Sequence, residues 1–408
     1  MNYSEALQLL KEHSQEHVLK FYDELTDEGK KELLTQIENI DWSIFDILAK
    51  KDVLAGRGTF APLGALEIDE IESRKAEFEA KGIEALKDEK IAAVLLAGGQ
   101  GTRLGLDKPK GTLNVGVNKT LYLFEAHIKW LLTVKEKCGS YVPLYIMTSD
   151  INNKDTVDFF EEHNYFGYDK AHVKFFVQEM APAVDFSGKI YMAEKGKLAL
   201  SPNGNGGWFR SMMRAGLVDE MKEKGIEYLT AFSVDNVLQK INDPCFVGAT
   251  IISGADIGAK VVKKATDREK IGVLCLEDGK PSIVEYYEIT DEMANLRDEK
   301  GQLAYVFGVI LNYMFKLDKL IDLMNKEMPL HIVEKKVPYI DENGEKVKPE
   351  EPNGYKFETL ILDMVHLMDS CLSYEVVREN EFAPIKNMTG VDSLESAREL
   401  MKLNGMEF

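Results

Sequence analysis

The chain has 408 residues, enough to bury a large core in two or three domains, and its 45% hydrophobic and 29% charged content is that of a globular protein. A net charge of −19 sets the surface as a whole against nucleic acid and anionic membranes, so neither is expected as a partner. No apolar run approaches the ~18 residues of a membrane-spanning helix, and the N-terminus opens polar and acidic rather than with a basic and then apolar leader, which points to the cytoplasm.

In chain order, Leu7, Leu10, Val18, Phe21 and Tyr22 recur at helical spacing and predict an amphipathic helix over 4–24. Within it, His13-Ser14-Gln15-Glu16-His17 matches the H-x-x-E-H of inverted zinc proteases, with both imidazoles on one helix face, although a solvated helical face accounts for it as well. Thr26 is the expected N-cap of a second helix, striped by Leu33, Leu34, Ile37 and Ile40, with Trp42, Ile44 and Phe45 as an anchor behind it. Arg57 to Gly64 reads as a linking loop and Asp69 to Leu86 as another helix, so residues 1–88 form a helical N-terminal region.

From Ile91 strands alternate with helices, the pattern of a doubly wound, mostly parallel sheet. The apolar strand Ile91 to Ala97 empties into Gly98-Gly99-Gln100-Gly101-Thr102-Arg103-Leu104-Gly105, followed by Pro109-Lys110-Gly111. Glycines let backbone N–H groups turn toward an anion, and Arg103 and Lys110 add positive charge, so the loop reads as a nucleoside triphosphate cradle. Its G-x-G-x-x-x-G spacing is one residue too long for a dinucleotide fingerprint, and Lys110-Gly111-Thr112 reverses the P-loop order.

The helix Leu121 to Lys135, the strand Leu144 to Thr148, the helix Asn153 to His163 and the strand His172 to Gln178 follow, then a hairpin turning at Lys195-Gly196. A second glycine loop, Pro202 to Gly207, opens a helix predicted over Trp208 to Lys224. The strand Tyr228 to Val234 ends at Asp235-Asn236, and the carboxyl end of a parallel strand is a suitable place for an aspartate that holds a metal ion. Ala259 to Lys263, Gly272 to Leu276, Ser282 to Tyr287 and 303–313 read as further strands, with Glu285 inside the third and able to accept hydrogen bonds from sugar hydroxyls. A polar loop, Asp341 to Gly354, leads into Lys356, and Glu381 to Asn387 is a turn carrying Lys386 ahead of a closing helix begun by Asp392 or Ser393. The four cysteines are far apart, without a C-x-x-C pair, and read as buried thiols.

Taken together, Leu96 to Gly105 with Pro109-Lys110-Gly111, Tyr145 to Ser149, Pro202 to Gly207, Val234-Asp235-Asn236, Val284-Glu285-Tyr286 and Glu381 to Asn387 resemble the UTP-dependent sugar-1-phosphate uridylyltransferases, nearest the UDP-N-acetylglucosamine pyrophosphorylase branch. The resemblance implies a Rossmann-like α/β nucleotidyltransferase core with a mixed, mostly parallel central sheet over 89–378, after the helical region and before a short segment 379–408. It also implies the reversible conversion of UTP and a sugar-1-phosphate into UDP-sugar and pyrophosphate with Mg2+. N-acetylglucosamine-1-phosphate is the expected sugar. Glucose- or galactose-1-phosphate and a non-catalytic UDP-sugar-binding protein are the alternatives.

By that resemblance Ala97, Gly98 and Gly99 would contact uracil and ribose, Gln178 and Gly204 would read the base, and Asn205 would approach the ribose or sugar. Arg103 and Lys110 would grip pyrophosphate, Asp235 would bind magnesium, Lys356 and Lys386 would approach the phosphates, and Gly272 and Glu285 would line the substrate. Where the acetylhexosamine enzymes carry an asparagine that touches the sugar, this chain reads Gly308-Val309-Ile310. In-line attack of a sugar phosphate on the α-phosphorus needs no protein nucleophile, only positioning and charge neutralisation.

Overall fold

Short runs of fully buried apolar residues, such as Ile91–Leu96 and Leu144–Thr148, can satisfy their backbone only inside a sheet covered on both faces. In the computed structural model, which describes residues 1–49, 56–326 and 328–406, they sit at the centre of a ten-stranded mixed sheet. Its strands are β1 (Phe60–Pro62), β2 (Ile91–Leu96), β3 (Leu144–Thr148), β4 (Val173–Val177), β5 (Tyr228–Ser233), β6 (Ile257–Lys263), β7 (Val273–Glu277), β8 (Lys280–Val284), β9 (Phe307–Lys316) and β10 (Cys371–Glu375).

The main path runs β1-β7-β9-β5-β2-β3-β4, with β8 against β7, β6 against β9 and β10 against β6. Neighbours are parallel from β5 through β2 and β3 to β4, so the carboxyl ends of these four strands share one edge. This is the Rossmann-like α/β core expected from the sequence. The long strand β9 meets β5 and β6 on its two sides and bends at Leu311, whose φ is +53°.

Contacts divide the chain into two units, each threaded by separate stretches of sequence. The larger comprises Arg57–Gln178, Trp208–Glu327 and Leu362–Phe408, and the smaller Met1–Gly56, Glu179–Gly207 and Met328–Ile361. The expected segments 1–88, 89–378 and 379–408 follow chain order instead, and the last two residues of the third lie outside the described residues. The smaller unit buries Leu10, Leu33, Ile37 and Ile44 of its helices with Val184 and Phe357 of its strands and with Ile190, which bridges Val184.

Several expected elements are corrected by tertiary contacts. The helix over 4–24 ends at Glu12, and Ser14 takes a left-handed φ of +57°. Gln15 is buried there, donating to Gly188 O (2.8 Å) and accepting from Ile190 N (2.9 Å), which a continued helix would forbid. His13 stacks on Trp42 at 4.4 Å and His17 Nε2 binds Ile190 O at 2.8 Å, so the two imidazoles do not share a helix face as a zinc pair.

The loop expected over 57–64 contains β1, because Arg57 reaches Glu277 (2.8 Å) and Phe60 pairs with that same residue. The helices over 69–86 and 208–224 break at Arg74 and at Gly216, the latter with φ +71°. Glu285 lies one residue beyond β8 rather than inside a strand.

Behind the sheet, helix Lys75–Lys87 packs on helix Pro244–Ser253 at glycine contacts. A Cβ on Gly82 would stand 1.8 Å from Pro244 O, and one on Gly248 1.8 Å from Phe78 O. Backbone cannot yield as a flexible side chain can. Gly248→Ala should therefore destabilise the fold by about 1–3 kcal/mol or more, read as a lower urea midpoint at unchanged m-value, and an unchanged midpoint would show that the two helices are free to separate.

Candidate active site

The loop after β2 folds back on itself. Gly101 N–H donates to Lys108 O (3.2 Å), its carbonyl accepts from Leu104 N (2.8 Å) and Leu106 N (3.1 Å), and Gln100 bridges Pro109. Gly105 completes the reversal with φ +70°. Asn152, buried beyond β3, donates to Ala97 O (2.9 Å) and fixes where the loop departs. Gly111 has a packing reason, since a Cβ there would meet the Phe124 ring at 2.2 Å.

Gly99 has no such reason. A Cβ on it would touch nothing within 4 Å, and the N–H groups of Gly98 and Gly99 donate to no protein group among the described residues. A Cβ on Gly98 would press on the Gln178 amide at 2.8 Å, so the loop and Gln178 form one surface at the carboxyl edge.

Beside that surface stands the charge cluster. Asp235 Oδ2 is 3.8 Å from Lys110 Nζ, both side chains being mostly buried. Burial pulls the Lys110 ammonium below its ordinary value. Asp235 opposes that shift, while the like charges of Lys386 and Arg103 add to it. Arg103, Asp235 and Lys386 are thus each within electrostatic reach of Lys110.

Lys386 arrives from far along the chain. Asn236 Nδ2 donates to Glu381 O (2.7 Å), its Oδ1 accepts from Ala383 N (2.8 Å), and Ile385 N donates to Asp235 O (2.9 Å). Glu381 is anchored in turn by the fully buried Lys260 at 2.6 Å. Lys386 Nζ itself rests on Asp392 at 2.9 Å. His127, buried below Val234 O at 3.1 Å, is held below its usual pKa by burial and stays neutral beside this charge.

A second wall is formed where β7, β8 and β9 begin or end. A Cβ on Gly272 would lie 3.6 Å from Glu285 Oε1 and 3.6 Å from Val309, whose N–H donates to Gly272 O (2.9 Å). Gly272, Glu285 and Val309 are therefore neighbours.

The remaining expected residues belong to the smaller unit. Gly204 needs its glycine, with φ +87° and a would-be Cβ 2.2 Å from Thr359 O. Asn205 Oδ1 accepts from Ile361 N (3.0 Å). Lys356 lies in the strand Gly354–Glu358, three residues before Thr359, so the second glycine loop and the Lys356 strand share one neighbourhood. Among the described residues no three His, Cys, Asp or Glu side chains gather as a metal cage. A cation at Asp235 would draw its other ligands from substrate oxygens and water, which suits Mg2+.

Asn152, Ser233 and Gln239 are polar residues of this region that periodicity could not single out. Each reveals itself by its partners in space.

This α/β core, with a glycine loop and clustered cations at the carboxyl edge of parallel strands, defines a nucleotidyltransferase-type protein. The model of the UTP–glucose-1-phosphate uridylyltransferase family matches residues 31–407. The chain is 36% identical over 404 residues to UDP-N-acetylhexosamine pyrophosphorylase-like protein 1 of Mus musculus, covering 93% of this chain and 79% of that protein. It is 37% identical over 329 residues to the UDP-N-acetylglucosamine pyrophosphorylase of Saccharomyces cerevisiae, covering 78% and 69%. The uridine diphosphate N-acetylglucosamine pyrophosphorylase of Trypanosoma brucei, solved with an inhibitor, superposes with a TM-score of 0.84 at 27% identity over 98% of this chain and 84% of its own. The chain belongs to the UTP–glucose-1-phosphate uridylyltransferase family.

The cluster's electrostatics are testable by titration. Lys386→Ala removes a like charge and should raise the Lys110 pKa, whereas Asp235→Asn removes the opposing one and should lower it further. Both shifts are readable by NMR of 13C-methylated lysines, and no response to either change would mean that the four groups do not share a site.

Proposed function

We propose that the protein transfers the uridylyl group of UTP to a sugar-1-phosphate, releasing pyrophosphate, with N-acetylglucosamine-1-phosphate the expected acceptor. The cluster of Arg103, Lys110, Lys386 and Asp235 beside the glycine loop carries this reading. A phosphate oxygen of the sugar forms the new bond to the α-phosphorus as the bond to the β-phosphate oxygen breaks, and the electron pair leaves with pyrophosphate. Arg103 and Lys110 meet the charge that grows on the leaving group, and Lys386 and Lys356 approach the phosphates. Mg2+ would neutralise phosphate charge, with Asp235 as its protein ligand.

Ala97, Gly98 and Gly99 offer close backbone approach to uracil and ribose, with Gln178 and Gly204 reading the base and Asn205 nearer the ribose or sugar. Gly272 and Glu285 face the sugar. A sensor of UDP-sugar would have no use for cations placed to receive pyrophosphate. A second acceptor, glucose- or galactose-1-phosphate, is favoured by Val309, which brings methyl groups rather than an amide to Gly272 and Glu285. UTP and sugar phosphates are cytoplasmic metabolites, and the four free thiols suit that compartment.

Incubation with UTP, Mg2+ and a panel of sugar-1-phosphates, followed by pyrophosphate assay, tests this directly. Release should occur with at least one hexose phosphate, and silence across the panel would sink the enzyme reading. Lys110→Ala should lower kcat by about 10²–10³-fold, as loss of a charge-stabilising donor does, with UDP-sugar affinity nearly unchanged. Equal losses in both would remove Lys110 from the leaving-group side.

A further inference from the structure

Asp235 presents two oxygens with different surroundings. Oδ2 faces Lys110 at 3.8 Å, while Oδ1 accepts a hydrogen bond from the Ser233 hydroxyl. Ser233 Oγ accepts in turn from Gln239 Nε2 at 3.3 Å, and the same Nε2 also donates to Ser233 O at 3.2 Å. Gln239 Oε1 accepts from Asn312 Nδ2 at 3.4 Å. Gln239 and Asn312 are 2% and 0% exposed, so water does not compete for these bonds.

The direction of each bond follows from the one before it. Two oxygens of Ser233 face one end of the Gln239 side chain, so that end must be the NH2. The Gln239 oxygen then points to β9, where Asn312 must offer its own NH2. A hydroxyl that already accepts an N–H has its hydrogen to give, and the carboxylate is the acceptor beside it.

We propose that Ser233, Gln239 and Asn312 are positioning residues that hold Oδ1 of Asp235 in a hydrogen bond and so orient the carboxylate with Oδ2 on the Lys110 side, where it would serve a bound cation. The inference rests on the uridylyl-transfer reading, because it assigns Asp235 to a metal. A relay of this kind acts through the orientation of a ligand, where outer hydrogen-bond partners change metal affinity by roughly 10–100-fold.

The experiment is Mn2+ binding in the presence of UTP, followed by electron paramagnetic resonance, alongside steady-state kinetics over a Mg2+ series. Ser233→Ala should weaken Mn2+ binding about 10-fold and raise the half-saturating Mg2+ by a similar factor, with KM for the sugar phosphate unchanged. Ser233→Thr, which keeps the hydroxyl, should behave as the unaltered protein.

Asn312→Leu tests the far end. An apolar side chain of similar size removes the Asn312 Oδ1, which has no partner among the described residues, and in exchange takes the donor from Gln239 Oε1, a loss of stability that a urea unfolding curve checks alongside. It should weaken Mn2+ in the same direction but less. Unaltered Mn2+ binding in both Ser233→Ala and Asn312→Leu overturns the relay, as does a uniform loss of every parameter that Ser233→Thr fails to rescue. Absence of pyrophosphate release by the unaltered protein would instead strike the functional reading, while the difference in Mn2+ binding between variants still decides the relay.

Discussion

The side chain of Asn236 joins two parts of the larger unit that lie 145 residues apart in sequence. Its amide is committed at both ends, giving a hydrogen to Glu381 O and taking one from Ala383 N, and it is 1% exposed. A buried amide satisfied in this way has one geometry, and losing either partner would strand a polar group away from water. The turn over 381–387 is thereby held against the end of β5, and Lys386 comes within reach of Asp235. Without this junction Lys386 would not be held near Arg103 and Lys110, which share the loop after β2.

The anchor beneath the junction is a full ion pair. Lys260 Nζ is 2.6 Å from Glu381 and also donates to Lys240 O at 2.9 Å, in a place where its side chain has no solvent contact. Burying such a pair is not an efficient route to stability, since desolvation offsets much of the attraction. Its geometric consequence is larger than its energetic one, because an ammonium with named partners on two segments fixes their separation more closely than apolar packing does. The same reasoning explains why an overall charge of −19 is compatible with binding a polyanion. Attraction at the site comes from Lys110, which is mostly shielded from water and so interacts more strongly than a charge on the solvated surface, with the exposed Arg103 and Lys386 close by.

What could be read in the sequence divides by range. The strand–glycine-loop–lysine run after Ile91 and the aspartate closing Tyr228–Ser233 were legible because their signals are local. Their convergence follows from parallel pairing alone, which places every carboxyl end on one edge. The breaks in helices were not legible. Ser14 turns left-handed because Gln15 finds partners at residues 188 and 190, and Phe60–Pro62 becomes a strand in a proline- and glycine-rich stretch because Arg57 finds Glu277. The interleaving of two units was equally hidden, since helices and strands of both alternate along the chain without a compositional change. Ser233, Gln239 and Asn312 are ordinary polar residues in one dimension and a connected series in three.

The wall containing Val309 bears on how selectivity and rate are separated in such a site. On the proposed reading, groups near the glycine loop and the charge cluster would act on parts common to every UTP and every sugar phosphate, so they would not tell one hexose from another. Discrimination, on the same reading, comes from the non-reacting face of the sugar, the place that reading gives to the neighbours Gly272, Glu285 and Val309. An amide at position 309 would be left unpaired by a sugar without a matching polar group, and would reject it strongly. A valine carries no such penalty and separates sugars only by shape, which is worth about 1–3 kcal/mol. On that reading, methyl groups in place of an amide would relax the choice of sugar while leaving the chemistry of phosphate transfer, assigned to residues on other strands, undisturbed.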